Sequence, residues 1–308
     1  MMLKALIIKN ELSGSSNKVS LKAIKEVFCN GYDVNEVVIT CKNIAYDVEG
    51  FDRIIVSGGD GTFSNFLNLE KKAKSKAKEI FYISSGTLNE KTTNCKNISD
   101  SKDGSIISMN NTIGVINDTV FSYVLATGTF TPLGYITSST EKKKYKYFAY
   151  IHNVLSEYRV HHIKASLDFN GQNIHLEDTY AIIMFLLSGS CFKLNFNKMY
   201  RKDDSKLYLL TIKAPKRKDI FGKIKLFFAL FRAFFIGFKK EKRSKVINFL
   251  TFKEVKINLS KDEPFCCDGE LLNIAKGDNY IVTAKTNSNI KIIDAETLDE
   301  LYKEHKCL

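Results

Sequence analysis

The stretch best suited to chemistry is Ser57-Gly58-Gly59-Asp60-Gly61-Thr62, set between a β-branched apolar run (53–57) and residues of helical composition (63–78). Glycines at such a turn let the backbone approach a phosphate closely, and a helix start offers N–H groups that have no intrahelical acceptor. Asp60 places a carboxylate beside that position, within reach of Mg2+ directly or through water. The same residues would also make an ordinary strand-to-helix turn with a capping aspartate. No Lys-Ser/Thr pair follows the glycines, so this is not a Walker A loop. The other reactive residue types are less organised. Seven cysteines are scattered with no C-x-x-C pair, which argues against a zinc ribbon or a thioredoxin-like motif. His161-His162 sits at a strand start, and His152 and His175 have no partner at ligand spacing.

The elements that must hold the loop come from hydrophobic patterning. Apolar runs at 3–8, 34–40, 53–57 and 80–84 alternate with helical spacing at Val19, Ala23, Ile24 and Val27 and with the 63–78 segment. Strand, Gly-rich turn and helix in alternation predict a parallel sheet with helices on its faces. From about Gly114 the texture changes. Strand candidates at 112–117, 120–127, 161–170, 179–187, 206–213, 252–259 and 279–284 follow one another, with helices expected at 142–158 and 218–240. Asn170-Gly171 is a hairpin signal. This predicts an α/β three-layer domain over 1–122 and a mainly antiparallel β-sandwich over 123–293, with the helical tail 294–308 packing back on the first domain. Only three prolines and no Gly/Ser-rich run leave no flexible linker visible.

Composition narrows the partners. At 308 residues, 26% charged and 44% hydrophobic, the chain is neither disordered nor collagen-like. Its net charge of +12 suits an anionic partner: nucleic acid, a phosphorylated cofactor or an anionic membrane surface. The N-terminal apolar stretch is too short for a signal peptide and reads as a first buried strand. Reduced thiols in a cytoplasmic protein are the simplest account of the cysteines.

Ser57–Thr62 resembles the nucleotide loop shared by diacylglycerol kinases, sphingosine kinases, NAD kinases and phosphofructokinases. Gly86-Thr87-Leu88-Asn89-Glu90 resembles the Gly-Thr-x-Asn-Asp motif of the lipid-kinase branch, and Cys267-Asp268-Gly269-Glu270 its C-terminal Asp-Gly-Glu. Ala126-Thr127-Gly128 and Phe148-Ala149-Tyr150 are also similar to soluble bacterial members. On these motifs the chain is identified as a member of the soluble bacterial diacylglycerol kinase-like family. The resemblance implies an ATP- and Mg2+-dependent lipid kinase with the nucleotide in the N-terminal domain and the lipid in the C-terminal one, the active site lying in a cleft between them. It implies nucleotide contacts at Asn10, Ser13, Gly14, Thr40, Gly58, Gly59, Asp60, Gly61, Thr62, Thr87 and Asn89. Asp268 and Glu270 would face the nucleotide, one accepting the proton of the lipid hydroxyl and the other orienting it or the metal. For Asp268-Gly269 alone, a hairpin turn would be the simpler reading. Asp204, before Ser205-Lys206-Leu207-Tyr208-Leu209, is similar to a family segment that holds a structural Mg2+, with ligands then at Asp204, Leu207 and Leu209. The departures are the missing proline in Asn10-Glu11-Leu12-Ser13-Gly14, Glu90 for Asp, Ser205 for Gly, Thr112 where relatives often carry an acid, and the altered 188–197 segment.

Segment 216–245 carries eleven Lys/Arg against two acids, a charge of +9. Ile220, Ile224, Phe227, Phe228, Phe231, Phe234, Phe235 and Phe238 recur within it at steps of three and four. The apolar stretch is shorter than the ~20 residues that span a bilayer. It therefore predicts either a helix lying in the headgroup region or one whose Phe face packs on the sandwich. No nucleic-acid motif accompanies the charge. The expected function is transfer of the ATP γ-phosphate to a lipid hydroxyl, most simply that of diacylglycerol giving phosphatidic acid, at the cytoplasmic face of an anionic membrane. A second copy of the chain is a candidate homodimer partner. The rivals are an NAD kinase, whose Asn-Glu motif should lie further from the loop than Asn89-Glu90 does, and a nucleotide-regulated membrane-binding protein without kinase activity.

Overall fold

Strands buried on both faces read as continuous apolar runs, and the N-terminal runs behave accordingly. In the structure, a computed structural model, the described residues are 2–41, 44–74, 77–87, 89–93, 112–131, 158–169, 174–191, 193–201 and 206–307. They form two units, Met1–Asn111 with Thr286–Leu308, and Thr112–Lys285. In the first, β1 (Leu3–Asn10), β2 (Tyr32–Ile39), β3 (Arg53–Gly58), β4 (Glu79–Ser84) and the last strand, β16 (Ile290–Asp294), make a parallel sheet in the order β16-β4-β3-β1-β2. One face buries Ala5, Ile7 and Phe81 against Ile24 and Phe28 of α1 (Leu21–Phe28) and Leu298 of the C-terminal helix α5 (Ala295–Cys307). On α2 (Asp60–Ala73), Phe63 stacks on Tyr82 of β4, with ring centroids 4.1 Å apart. Helix, sheet and helix make three layers.

The tail does more than pack back, because β16 supplies an edge strand to this sheet. Lys291 Nζ lies 2.8 Å from Glu79 Oε1, and Arg53 donates to the other oxygen of Glu79 while its guanidinium lies over the Tyr32 ring. Partial burial works against the charge of Glu79. The hydrogen bonds from Lys291 and Arg53 outweigh it and hold its carboxyl below the ordinary 4.5. The stabilisation from this lowered value is present above that ordinary value and is lost as pH falls through the folded one. Glu79→Gln is expected to cost about 1 kcal/mol at neutral pH. The deficit should shrink in melts carried to acid pH, and a deficit independent of pH would remove this account.

The second unit is built on one eleven-stranded sheet whose described pairings are antiparallel. Its path runs β14 (Glu270–Ile274), β13 (Glu263–Cys267), β7 (Val124–Gly128), β9 (Ile174–Leu186), β8 (Ile163–Phe169), β12 (Glu254–Leu259), β15 (Gly277–Thr286), β5 (Thr112–Ile116) and β6 (Thr119–Phe121). Off this path, β10 (Leu207–Lys213) pairs with β9 and β11 (Ile247–Phe252). Ile274 of β14 and Ile116 of β5, far apart along the path, share one core with Ile183 and Phe185 of β9, so the sheet curls around that core. The alternate residues Ile182, Met184 and Leu186 point to the other face, under Leu226, Ala229 and Leu230 of α4 (Ile220–Phe231). Central strands are thus apolar on both sides, and this is why they lack a polar alternation.

The strand expected at 120–127 is split into β6 and β7 by Ser122-Tyr123, whose N–H groups turn to a side chain described below. The units divide at 111/112 and 285/286, in place of the 122/123 and 293/294 read from sequence. The reasons are that β5 and β6 belong to the second sheet and β16 to the first. The expected 142–158 helix (Tyr158 apart), the Asn170-Gly171 turn and Phe148-Ala149-Tyr150 lie outside the described residues.

Candidate active site

In the first unit, successive strands β1, β2 and β3 place β2 on one side of β1 and β3 on the other. Where a parallel sheet reverses its winding in this way, the loops at the carboxyl ends of the strands part and leave a crevice. The loops after β1, β3 and β4 meet there. Asn10 Nδ2 donates to Thr62 Oγ1 at 2.8 Å, and Asn10 Oδ1 accepts from Leu12 N at 2.9 Å. Ser13 Oγ accepts from Gly59 N at 3.1 Å. The β4 loop joins through Ser15 N to Ser85 O (2.9 Å) and Ser85 N to Gly58 O (2.7 Å). Thr40 follows β2 directly, and Ile39 O accepts from Glu11 N at 3.0 Å, so Thr40 belongs to the same edge.

The glycines explain how closely these loops approach. A Cβ on Gly86 would lie 2.7 Å from Gly59 Cα, and one on Gly59 would lie 3.2 Å from Gly86 Cα. A Cβ on Gly14 would lie 2.2 Å from Thr87 Oγ1. Backbone therefore meets backbone at the head of α2, where the helix gives the N–H groups of Gly61 and Thr62 no intrahelical acceptor. The hydroxyls of Ser57 and Ser85 are buried nearby in sequence with no hydrogen-bond partner among the described residues. A cradle that a Cβ would fill, edged by free donors, fits a phosphate chain.

Asp60, the first residue of α2, is buried. Its Oδ2 accepts from Glu90 N at 2.9 Å and its Oδ1 from Lys91 N at 3.2 Å, capping the short helix α3 (Glu90–Thr93). The sequence suggests Asp60 for the metal, for the nucleotide or as a cap of its own turn; the helix it caps is instead α3, 30 residues on. Asn89, just before α3, takes a left-handed φ of 50°, which asparagine tolerates better than most residues. Asn10, Ser13, Gly14, Thr40, Gly58, Gly59, Asp60, Gly61, Thr62, Thr87 and Asn89 are thus all on strand ends, loops or helix starts at one edge of one sheet.

In the second unit Asp268 and Gly269 are the two central residues of the β13–β14 hairpin, with φ of 50° and 96°, and Cys267 faces Glu270 across it. The turn reading is therefore met, but the side chain has its own task. The Asp268 carboxylate accepts from the backbone N–H groups of Ser122, Tyr123 (3.0 Å) and Val124 (2.9 Å), the last two at one oxygen. Burial pushes its carboxyl above the ordinary range, with the three N–H donors pulling the other way. Glu270, two residues on, is exposed. One carboxylate of the pair is committed to the backbone and the other is open to solvent.

Leu207 and Leu209 are buried in β10, where Leu209 pairs with Leu250 on one side and Phe185 on the other. Asp204 and Ser205 lie outside the described residues, as does Leu88. Among the described residues no three His, Cys, Asp or Glu side chains form a group able to hold a metal ion. Thr112 opens β5 and is buried. The unusual 188–197 segment is organised by Asn197, whose Nδ2 donates to Ser188 O and whose N donates to Gly189 O, each at 3.0 Å. Sequence reasoning missed the backbone nest at 122–124 and the bonds of Ser13 and Ser85. Only the polar residue types at those positions hinted at them.

Comparison with known proteins adds the following. Residues 4–113 match the diacylglycerol kinase catalytic domain. A diacylglycerol kinase structure from Bacillus anthracis strain Sterne superposes with a TM-score of 0.59 at 16% identity, over 95% of this chain and 97% of that one. A second chain from that organism, thought to be a diacylglycerol kinase, gives 0.62 at 15% identity over the same shares. No curated protein matches.

Proposed function

We propose that the chain is a member of the soluble diacylglycerol kinase-like family, a reading supported by the match of residues 4–113 to the diacylglycerol kinase catalytic domain, and that it transfers the γ-phosphoryl group of ATP to the hydroxyl of a membrane lipid, with diacylglycerol as acceptor and phosphatidic acid as product. The observation that carries the reading is the Gly59–Gly86 backbone contact at the head of α2. It supports a nucleotide site in the first unit, with the phosphates received by the N–H groups of Gly61 and Thr62. Mg2+ accompanying the phosphates would spread their charge. Asp60, and Asp204 with the carbonyls of Leu207 and Leu209, are the proposed holders of metal in the two units.

The lipid is assigned to the second unit, where Glu270 is the proposed proton acceptor. The hydroxyl O–H bond breaks toward its carboxylate as the new O–P bond forms and ADP departs. The exposure of Glu270 supports this choice, as does the commitment of Asp268 to three backbone donors. Asp268 is then a positioning residue that fixes the hairpin from which Glu270 starts. A lipid substrate implies a peripheral place at the cytoplasmic face of the membrane.

The test is a turnover assay with labelled ATP over a panel of diacylglycerol, a sphingoid base, other long-chain alcohols and NAD. Transfer to diacylglycerol in preference to the rest is expected. Label in NAD would make the chain an NAD kinase. Nucleotide binding without transfer to any acceptor would leave a nucleotide-regulated binding protein.

A further inference from the structure

Helix α4 buries the wrong residues for a helix that hides its aromatics. Its buried face is Gly222, Leu226, Ala229 and Leu230, with Ala233 just beyond, set against the outer face of the second sheet. The aromatic face is left in solvent: Phe228 and Phe235 are each 65% exposed, and Phe221, Phe227 and Phe231 are exposed as well. These rings form one continuous stripe. Phe231 stacks on Phe227 at 6.3 Å and on Phe235 at 5.2 Å, and Phe228 packs edge-on to Phe227 at 5.7 Å. Ile220, Ile224 and Ile236 extend it with aliphatic surface.

A π turn over Arg232–Ile236 keeps the stripe straight. Its wider winding advances each residue through a smaller angle than an α-helix does. Phe235 consequently stays in line with Phe231, and Phe234 swings inward onto Phe196, with centroids 4.9 Å apart. Phe238, after the turn, is buried on Phe249 at 4.3 Å. Six of the eight residues grouped as one face by sequence spacing are therefore exposed, and Phe234 and Phe238 are not. Lys198 Nζ and Arg232 Nη1 donate to the carbonyls of Ile236 and Gly237 at 2.8 and 2.7 Å, closing the end of the helix.

The stripe has a cationic border. At about 100° per residue, Lys225 falls beyond one edge of it and Lys223 beyond the other, and Lys218 just precedes the helix. Lys239, Lys240, Arg243 and Lys245 follow, exposed and without an ion pair among the described residues. A charge of +9 in one segment opposes a second copy of the same face and favours a polyanion. The aliphatic members and the mutually stacked ring faces suit acyl chains rather than nucleic-acid bases. We infer that α4 and the π turn lie flat in the headgroup layer of an anionic bilayer, with Phe227, Phe228, Phe231 and Phe235 inserted at the acyl boundary and the border cations on lipid phosphates. This does not rest on the kinase reading, since binding needs neither ATP nor substrate.

The chain has no tryptophan, so Phe228→Trp creates a sole reporter at an exposed site. On phosphatidylglycerol/phosphatidylcholine vesicles its emission is expected to shift to the blue and to be quenched by brominated acyl chains. In sedimentation with the same vesicles, replacing Lys239, Lys240, Arg243 and Lys245 by Gln should weaken binding ~10²–10³-fold, and Phe228→Glu/Phe235→Glu should abolish it with the melting temperature unchanged. An emission unmoved by the vesicles overturns the inference, as does full binding by the double Glu variant. A concentration-dependent dimer that this variant abolishes, with no vesicle binding, would assign the face to a second copy. A shift caused by oligouridylate and not by vesicles would assign it to RNA.

Discussion

Glu270→Gln is expected to fold as the parent does and to lose turnover by ~10²–10⁴-fold, the usual contribution of a positioned proton acceptor. The side chain is exposed at the start of β14, so its neutral isostere disturbs no packing. Asp268→Asn should behave in the opposite manner. Its amide oxygen can still accept from Tyr123 and Val124, but its new NH2 group would face the N–H of Ser122, donor against donor, in a buried turn. A loss of roughly 3 kcal/mol in stability is expected, because one buried donor is stranded and the other two exchange a carboxylate oxygen for a neutral amide oxygen. Chemical denaturation and initial-rate assays on both variants separate the two roles. A stable, inactive Asp268→Asn beside an active Glu270→Gln would reverse the assignment.

Gly86→Ala should raise the Kd for ATP by on the order of 10²-fold. The added methyl would lie 2.7 Å from Gly59 Cα, a contact with backbone that rotamer changes cannot relieve. The two loops must separate, and a displacement of about 1 Å in a positioned site costs about that factor. Gly31→Ala is the matched control, since a Cβ there meets nothing within 4 Å, although its φ of 81° makes it strained in its own right. Calorimetry with a non-hydrolysable ATP analogue reads the difference. Equal affinity in the Gly86 variant and its parent would remove the loop contact from nucleotide binding.

What could be read in advance was whatever depends on local pattern. The apolar runs at β1, β3 and β4 announced a parallel sheet because strands covered on both faces need no polar alternation. The Gly58-Gly59-Asp60-Gly61 turn announced the head of α2. Asp268-Gly269 announced a hairpin through the left-handed φ that both positions require. What escaped depends on distant backbone. No residue type marks the N–H groups of 122–124 as the partners of Asp268, which lies 144 residues from Val124. The strand β16 was missed because five residues, Ile290–Asp294, make a weak signal until β4 is beside them. The inward turn of Phe234 follows from a single change of helical winding, to which a fixed period of 3.6 is blind.

The placing of β16 also bears on the order in which the chain can fold. Glu79 and Lys291 meet across 212 residues, whereas Thr112–Lys285 is continuous in sequence. A nascent chain leaving the ribosome therefore has the whole second unit in hand before the edge strand of the first exists. Domains close as units during synthesis, and here the one encoded in the middle can close first. The N-terminal strands must wait with the β4 edge unpaired, an aggregation-prone state that ends only when Ile290–Asp294 have been made.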